Sequence, residues 1–412
     1  MRIRSRFNTI KRLAGSSAVS RRLLWDCLGK SNPVREDALH LAATMEWLCR
    51  AQDVTGCGGV STGWSLREGW LQPYPETTGY IIRTFLNVAA ATGNDAFLER
   101  ALRMGAWELS IQMPSGAIRG RPGTEEHPLV FDTGQVVQGL VALYRRTQEN
   151  RWLKGALKAA EWIISLQEPD GSWLRGSNKG IPHAYYTYVA WPLCEIYDIT
   201  RDSQFLDAAR KHIQWVLSLR DKTEWIPGMA FSENADPLTH TVAYTYEGLL
   251  ECSRFLPPAE KAEVLETVNR AMCRLMESHS VAFAAGRTRG LALPAFVDSS
   301  WRFKGNFSCL VGNAQFALIW LKLYQQLRDE RLFRAAADQI DAIKKTQDLR
   351  TRDADIRGAV AGADPLWGGY GSLCFPNWAA KFFADALMLK QKIETQPQPP
   401  SRTPKGAVAI AS

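Results

Sequence analysis

WLCRAQ (47–52), WELSIQ (107–112) and WIISLQ (162–167) are three copies of one helical ending, and WVLSLR (215–220) is a fourth. Their tryptophans, Trp47, Trp107, Trp162 and Trp215, lie 60, 55 and 53 residues apart. IKKTQ, ending at Gln347, keeps the ending without its Trp, and RLMES, ending at Ser278, is the most diverged copy. Between these endings sits a second type of helix, apolar at a spacing of three and four residues: TGYIIRTFLNVAAATGN (78–94), TGQVVQGLVALYRRTQEN (133–150) and TYVAWPLCEIYDITRD (187–202). VAYTYEGLLECSRFL (242–256), VGNAQFALIWLKLYQQLRDE (311–330) and NWAAKFFADALMLKQ (377–391) continue the series. A fixed period made of two helices marks a helical-hairpin array.

The two kinds of connection differ. After a second-type helix the chain turns through ATGNDAFLERA, TQENRWLKGA, ITRDSQFLDAA or LRDERLFRAA, a short polar turn followed by an aromatic or Leu anchor. The other connections, residues 53–77, 113–132, 168–185, 221–240, 279–310 and 348–375, are long. Because the hairpins alternate, all the long loops emerge at one end, and loops of that length usually carry function. The expected fold is therefore all-α: six hairpins closed into an (α/α)6 barrel, or toroid. Its inner helices should begin near residues 78, 133, 186, 241, 311 and 376, and the site should lie beneath the long loops. The expected organisation is a basic arm over 1–30, the barrel over 31–394, and a disordered Pro-rich tail over 395–412 (ETQPQPPSRTPKG and beyond).

Composition narrows the class. The 412 residues are 46% hydrophobic and 22% charged, which suits a globular chain with ample core material. No apolar run approaches the roughly 18 residues of a membrane-spanning helix. The net charge of +8 is concentrated at the start: residues 1–30 hold eight Lys or Arg against Asp26, leaving 42 basic and 41 acidic residues elsewhere. A nearly neutral body does not suit a nucleic-acid partner. The basic arm, with Ile3, Phe7, Ile10 and Leu13 interspersed, is expected to make at most weak contact with anionic membrane through residues 1–25. It lacks the apolar core of a secretory signal. Eight scattered Cys form no CxxC pair, so a cytoplasmic location is expected, with peripheral contact at the inner membrane face as the variant that the arm allows. Phosphate loops, dinucleotide fingerprints, HExxH and GxSxG are absent, so no cofactor or metal is expected.

The long loops concentrate aromatic and ionisable residues. Trp64, Trp70, Tyr74, Trp173, Trp301, Arg302, Trp367 and Tyr370 are the expected substrate-binding set, because flat sugar faces stack on aromatic rings. Paired carboxylates are the other requirement of glycosidic chemistry. VFDTGQVVQGLVALY sets Asp132 at the start of one inner helix, and YPETTGYIIRTFL sets Glu76 at the equivalent point of the preceding one. Either can also be read as a helix cap. If they share a pocket, their surroundings can divide them into acid and base.

At this point the chain resembles the six-hairpin glycosidase superfamily, over roughly residues 36–390 and in repeat plan. VFDTGQVVQGLVALY resembles the inner-helix start at which unsaturated glucuronyl hydrolases place a catalytic Asp, which implies that role for Asp132. YPETTGY is also similar to segments of glucuronyl C5-epimerases, in a different order and spacing. The resemblance implies an oligo- or polysaccharide substrate and, first, glycoside hydrolysis by Asp132 and Glu76. A uronate lyase or C5-epimerase would instead need Tyr and His to move a proton beside a carboxylate. HAYYTY (183–188) offers His183, Tyr185 and Tyr186, HTVAYTYEG (240–248) offers His240, Tyr244 and Tyr246, and SSWRFKGNF (299–307) offers Arg302 and Asn306. His183, Tyr186, His240 and Tyr246 are thus the second catalytic set. QEPDGSW (167–173) matches the QxxDGxW repeat of squalene-hopene cyclases and their relatives, where it is structural, but the DxDD acid of a terpenoid cyclase is missing and DADI (353–356) falls one residue short. A non-catalytic saccharide-binding or assembly factor is the remaining alternative; it would keep the aromatics and tolerate loss of both carboxylates.

Overall fold

The computed structural model describes residues 17–120 and 127–396, and within them it is the expected all-α toroid. Thirteen α-helices are present among the described residues. After α1 (Ser17–Cys27), outer helices α2 (Asp37–Asp53), α4 (Asp95–Ile111), α6 (Asn150–Ser165), α8 (Ser203–Ser218), α10 (Pro258–Ala284) and α12 (Glu330–Lys344) alternate with inner ones. The inner ring is α3 (Pro75–Thr92), α5 (Val130–Thr147), α7 (Thr187–Thr200), α9 (Thr239–Cys252), α11 (Leu310–Leu327) and α13 (Asn377–Thr395). Each inner helix packs on the next, and α13 returns to α3 to close the ring.

The short turns explain the repeat. Four inner helices stop at a left-handed residue, Gly93, Gln148, Arg201 or Arg328, whose N–H reaches back to the carbonyl four residues earlier. In three of them the next residue, Asn94, Asp202 or Asp329, caps the following outer helix with its side chain. The Gln of each outer-helix ending has a matching duty. Gln52 Nε2 donates to the carbonyls of Gly58 and Arg100 at 2.9 and 3.0 Å, Gln112 to Gly116 and Gly155 at 2.8 and 2.9 Å, and Gln167 to Gly171 and Ala208 at 3.1 and 2.9 Å. In these three repeats one amide thus ties the outer helix to its own loop and to the next outer helix. QEPDGSW is the most complete version, with Trp173 fully buried beneath it.

Small residues let the inner helices approach. A Cβ on Gly79 would sit 2.7 Å from the Gln135 carbonyl oxygen of α5, and one on Gly139 would collide with the Gly79 carbonyl. The ring is locked where the chain ends meet: Asp37 of α2 pairs with Lys390 Nζ of α13 at 2.7 Å and with the buried Lys344 of α12, while His40 Nδ1 lies 2.5 Å from Gln347 Oε1.

Extended structure is confined to the loop end. β1 (Gly63–Ser65) pairs with β2 (Gly69–Trp70) and with β7 (Cys374–Pro376), β3 (Phe296–Val297) with β4 (Phe303–Lys304), and β5 (Ser308–Cys309) with β6 (Ala363–Asp364). None exceeds three residues. β1 with β7 and β5 with β6 join the loops 53–77, 279–310 and 348–375.

The basic segment differs from a solvated arm over part of its length. α1 is docked: Arg22 and Asp26 are buried, Arg22 Nε donates to Asp26 Oδ1 at 2.8 Å, and Asp26 Oδ2 accepts the Leu366 N–H at 2.7 Å. The reason is chemical, since the Arg22 guanidinium also donates to the Thr346 carbonyl and its neighbour Arg21 pairs with Asp348. Residues 1–16, 121–126 and the tail from 397 onward lie outside the described residues. No helix among the described residues is long and apolar enough to cross a membrane.

Candidate active site

Tyr74 and Leu129 occupy the cap positions of α3 and α5 in extended conformation, and neither side chain caps its helix. Glu76 and Asp132 therefore lie inside the first turns and are not N-caps, at positions where exposed N–H groups and the helix dipole favour negative charge. Because α3 and α5 are neighbours in the inner ring, the two first turns face one cavity of about 480 Å³ under the long loops. That volume lies within the usual range for small-ligand sites.

The two carboxylates converge on Tyr74. Its hydroxyl donates to Asp132 Oδ2 at 3.3 Å, and Glu76 is near enough for its charge to act on the phenol. Burial drives the phenol pKa well above the ordinary value, and the adjacent charges of Asp132 and Glu76 push it further, so the hydroxyl keeps its proton.

The remaining walls are aromatic. Phe131 meets Tyr185 and Tyr244 edge-on at 5.5 and 5.2 Å. Across the cavity Trp378 Nε1 donates to the Tyr370 hydroxyl at 3.1 Å. His240 lines the same space, its ring 4.5 Å from Tyr244 and 5.4 Å from Tyr370. Its Nδ1 lies 2.6 Å from Gln315 Oε1, and burial pushes its pKa down to about 4, which keeps the imidazole neutral. At the rim Lys179 Nζ donates to Ser232 Oγ at 2.5 Å.

Of the residues expected from sequence, Glu76, Asp132, Tyr74, Tyr186, His240 and Tyr370 line this cavity. The Tyr186 hydroxyl is already engaged, accepting from Ser177 Oγ at 3.2 Å and from the Asn178 N–H at 3.1 Å. The others stand elsewhere. His183 is buried with its ring nitrogens on the Ala230 and Asn178 carbonyls at 3.1 and 2.9 Å, where it braces the loop that carries Asn178 and Lys179. Tyr246 donates to the Glu224 carbonyl at 2.6 Å and packs against Trp301. Trp301 and Trp173 are buried and donate to the carbonyls of Thr223 and Ile163 at 2.9 and 3.0 Å. Trp64 is buried beside Phe375, and Trp70 packs on Trp47 and donates to Asp355 Oδ1 at 3.1 Å. Arg302 is paired with Asp298 Oδ2 at 3.0 Å, and Trp367 is an exposed ring outside the cavity lining. Tyr185 and Tyr244, offered by the same motifs, line it too, and Thr77, Tyr80, Leu129, Phe131, Asn178, Lys179, Phe231 and Trp378 complete the lining. Several carry a common signal: they fall in the first two turns of an inner helix, as Glu76 and Asp132 do.

No family model and no curated protein sequence matches the chain. Solved structures do match its fold. An unsaturated glucuronyl hydrolase from Bacillus sp. GL1, described as responsible for the degradation of glycosaminoglycan, superposes with a TM-score of 0.66 at 15% identity, covering 85% of this chain and 96% of that one. A sugar epimerase from a ruminal bacterium gives 0.63 at 13% identity over 84% and 98%. A polysaccharide lyase gives 0.61 at 11% identity over 88% and 99%. The toroid is thus a fold that this chain shares with these structures.

Proposed function

We propose that this protein is a carbohydrate-active enzyme that hydrolyses a glycosidic bond, with Asp132 and Glu76 as the acid/base pair and the aromatic walls as the sugar platform. The observation that carries the reading is the placement of both carboxylates beside the Tyr74 hydroxyl, which donates to Asp132, inside an aromatic cavity at the loop end. The phenol has one proton to give. Asp132 accepts it. A carboxylate and a carboxylic acid flanking one bond are what glycoside hydrolysis requires: the acid protonates the leaving oxygen, and the carboxylate attacks the anomeric carbon or activates water. That solved structures with this fold include a glucuronyl hydrolase, a polysaccharide lyase and a sugar epimerase supports a saccharide substrate. The eight cysteines are unpaired, which supports a reducing compartment.

Elimination or epimerisation is the second reading, and His240 favours it: a neutral imidazole at the cavity wall can take a proton from a sugar carbon through its unprotonated nitrogen. A screen of neutral and acidic oligosaccharides with product mass analysis in deuterated water separates the chemistries. Hydrolysis adds one water per bond cleaved, elimination yields an unsaturated product without added water, and epimerisation leaves mass unchanged apart from deuterium uptake at carbon. Asp132→Asn and Glu76→Gln should each lower turnover about 100-fold with folding retained. Full activity in the folded double variant would remove the carboxylate mechanism, and full saccharide binding without turnover in the wild type would make the toroid a binding factor.

A further inference from the structure

The docked helix α1 is amphipathic the wrong way round. Its charged residues Arg22 and Asp26 are buried, while Leu24 and Leu28 stand 56% and 57% exposed. At about 100° per residue, Leu24 points roughly opposite both Arg22 and Asp26. Leu28 repeats it one turn on, its N–H bonded to the Leu24 carbonyl at 2.9 Å. The inversion has a local cause. Arg22 donates to the Thr346 carbonyl and to Asp364, and Asp26 accepts the Leu366 N–H, so the polar face is spent on the barrel and the aliphatic face is left outside. The segment that follows continues the pattern, because Val34 and Leu39, the latter in the first turn of α2, are exposed as well. Single exposed aliphatic side chains are ordinary on a protein surface. Of the ten large hydrophobic side chains exposed among the described residues, however, four fall within residues 24–39.

The surroundings of these side chains are cationic. The Asn32 N–H donates to the Lys345 carbonyl at 2.8 Å and Arg21 pairs with Asp348, which sets the segment against the end of α12. Across residues 20–39 and 345–352 the exposed charged side chains are Lys30, Arg35, Lys345, Arg350 and Arg352, against Glu36. Leu39, Arg35 and Arg350 share a groove of about 480 Å³ with Arg357, whose partner at 2.7 Å, Glu46, is the one acid of the lining. The guanidinium groups of Arg35 and Arg350 are not paired among the described residues; their backbone N–H groups are, with His40 Nε2 and Asp348 Oδ1. The sequence leading into α1 adds Arg2, Arg4, Arg6, Lys11 and Arg12 and no acid. Aliphatic side chains beside unpaired arginines match the boundary of an anionic bilayer, where the aliphatic groups enter the acyl edge and the arginines meet lipid phosphates. A second copy would instead bring two basic fringes face to face, which like charges oppose.

We propose that residues 20–39, with the Arg35 and Arg350 groove beside them, dock on an anionic phospholipid bilayer. Because α1 sits on the loop 348–375, docking holds the loop end of the barrel close to the membrane. The proposal does not depend on the chemistry of the loop-end cavity. Its test is co-sedimentation of the full chain with vesicles of phosphatidylcholine alone and of phosphatidylcholine mixed with phosphatidylglycerol, at low and high salt. Leu24→Ser/Leu28→Ser and Arg35→Ser/Arg350→Ser change exposed positions, so the melting temperature, the control for folding, should hold. The wild type should bind the mixed vesicles and not the neutral ones, and each double variant should weaken binding about tenfold or more. High salt should weaken it too. Undiminished binding in either double variant would move the contact elsewhere in the chain and overturn the assignment. So would equal binding to neutral vesicles, no vesicle binding at all, or a dimer in sedimentation that Leu24→Ser/Leu28→Ser dissolves and vesicles do not.

Discussion

Replacing Tyr74 by Phe removes one oxygen from the cavity and leaves the ring, the fold and both carboxylates in place. The structure makes the consequence specific. The hydroxyl donates to Asp132 at 3.3 Å, so its loss removes a donor from a carboxylate. A hydrogen bond to a charged group contributes about 1.5–3 kcal/mol, and the length of this one places it at the lower end, which corresponds to roughly tenfold in turnover. The pH profile is more telling. Without the donor, the ionised Asp132 is less favoured, and the acid limb of kcat/KM against pH should move up by about one pH unit, because about 1.4 kcal/mol equals one unit. The assay is initial rates on whichever oligosaccharide the wild type turns over, with thermal melting as the control for folding. A uniform fall in rate with the acid limb unmoved would show that Tyr74 only shapes the cavity, and the reading of Asp132 as the ionised partner would be wrong.

Two further predictions concern stability. Burial lowers His212 and His240 to about 4, against 6.5 for a free imidazole. The folded state then stays unprotonated where the unfolded chain takes up protons, so stability is intact above pH 6.5 and declines as pH falls towards 4, by up to about 3 kcal/mol for each ring; urea unfolding at pH 7 and 4.5 measures it, and equal stabilities would refute the buried neutral state. Asp37→Ala deprives the buried Lys344 of its partner across the chain-end seam and leaves Lys344 only Asp341 at 3.2 Å, whose side chain is 44% exposed. It should cost about 3 kcal/mol, readable as a drop in melting temperature, and a loss below about 1 kcal/mol would mean that the seam is held by packing alone.

The inner helices were expected near 78, 133, 186, 241, 311 and 376, and they start at Pro75, Val130, Thr187, Thr239, Leu310 and Asn377. Such agreement is possible because the signals are local: an apolar period, a left-handed stop and a cap that fall within four residues of one another. The site divides differently. Glu76 and Asp132 could be paired from sequence because both stand at equivalent positions of neighbouring repeats, so the ring itself brings them together. His183 and His240 could not be separated in the same way. HAYYTY and HTVAYTY offer the same residues at nearly the same point, yet His183 precedes a short 3-10 turn in extended conformation while His240 is the second residue of α9. That small offset turns one imidazole onto loop carbonyls and the other onto the cavity wall. The loop tryptophans failed for a related reason. Long connections without helices must build small cores of their own, and Trp173 and Trp301 supply them, each spending its indole N–H on a backbone carbonyl, of Ile163 ten residues before it and of Thr223 in a different loop. A large aromatic in a long loop is therefore as much a plug as a platform, and only its distance from the first turns of the inner helices distinguishes them. By that criterion Tyr80, Tyr244 and Trp378, which sequence assigns to inner helices, have the stronger claim to contact a sugar, because each stands within the first two turns of a helix that opens on the carboxylates.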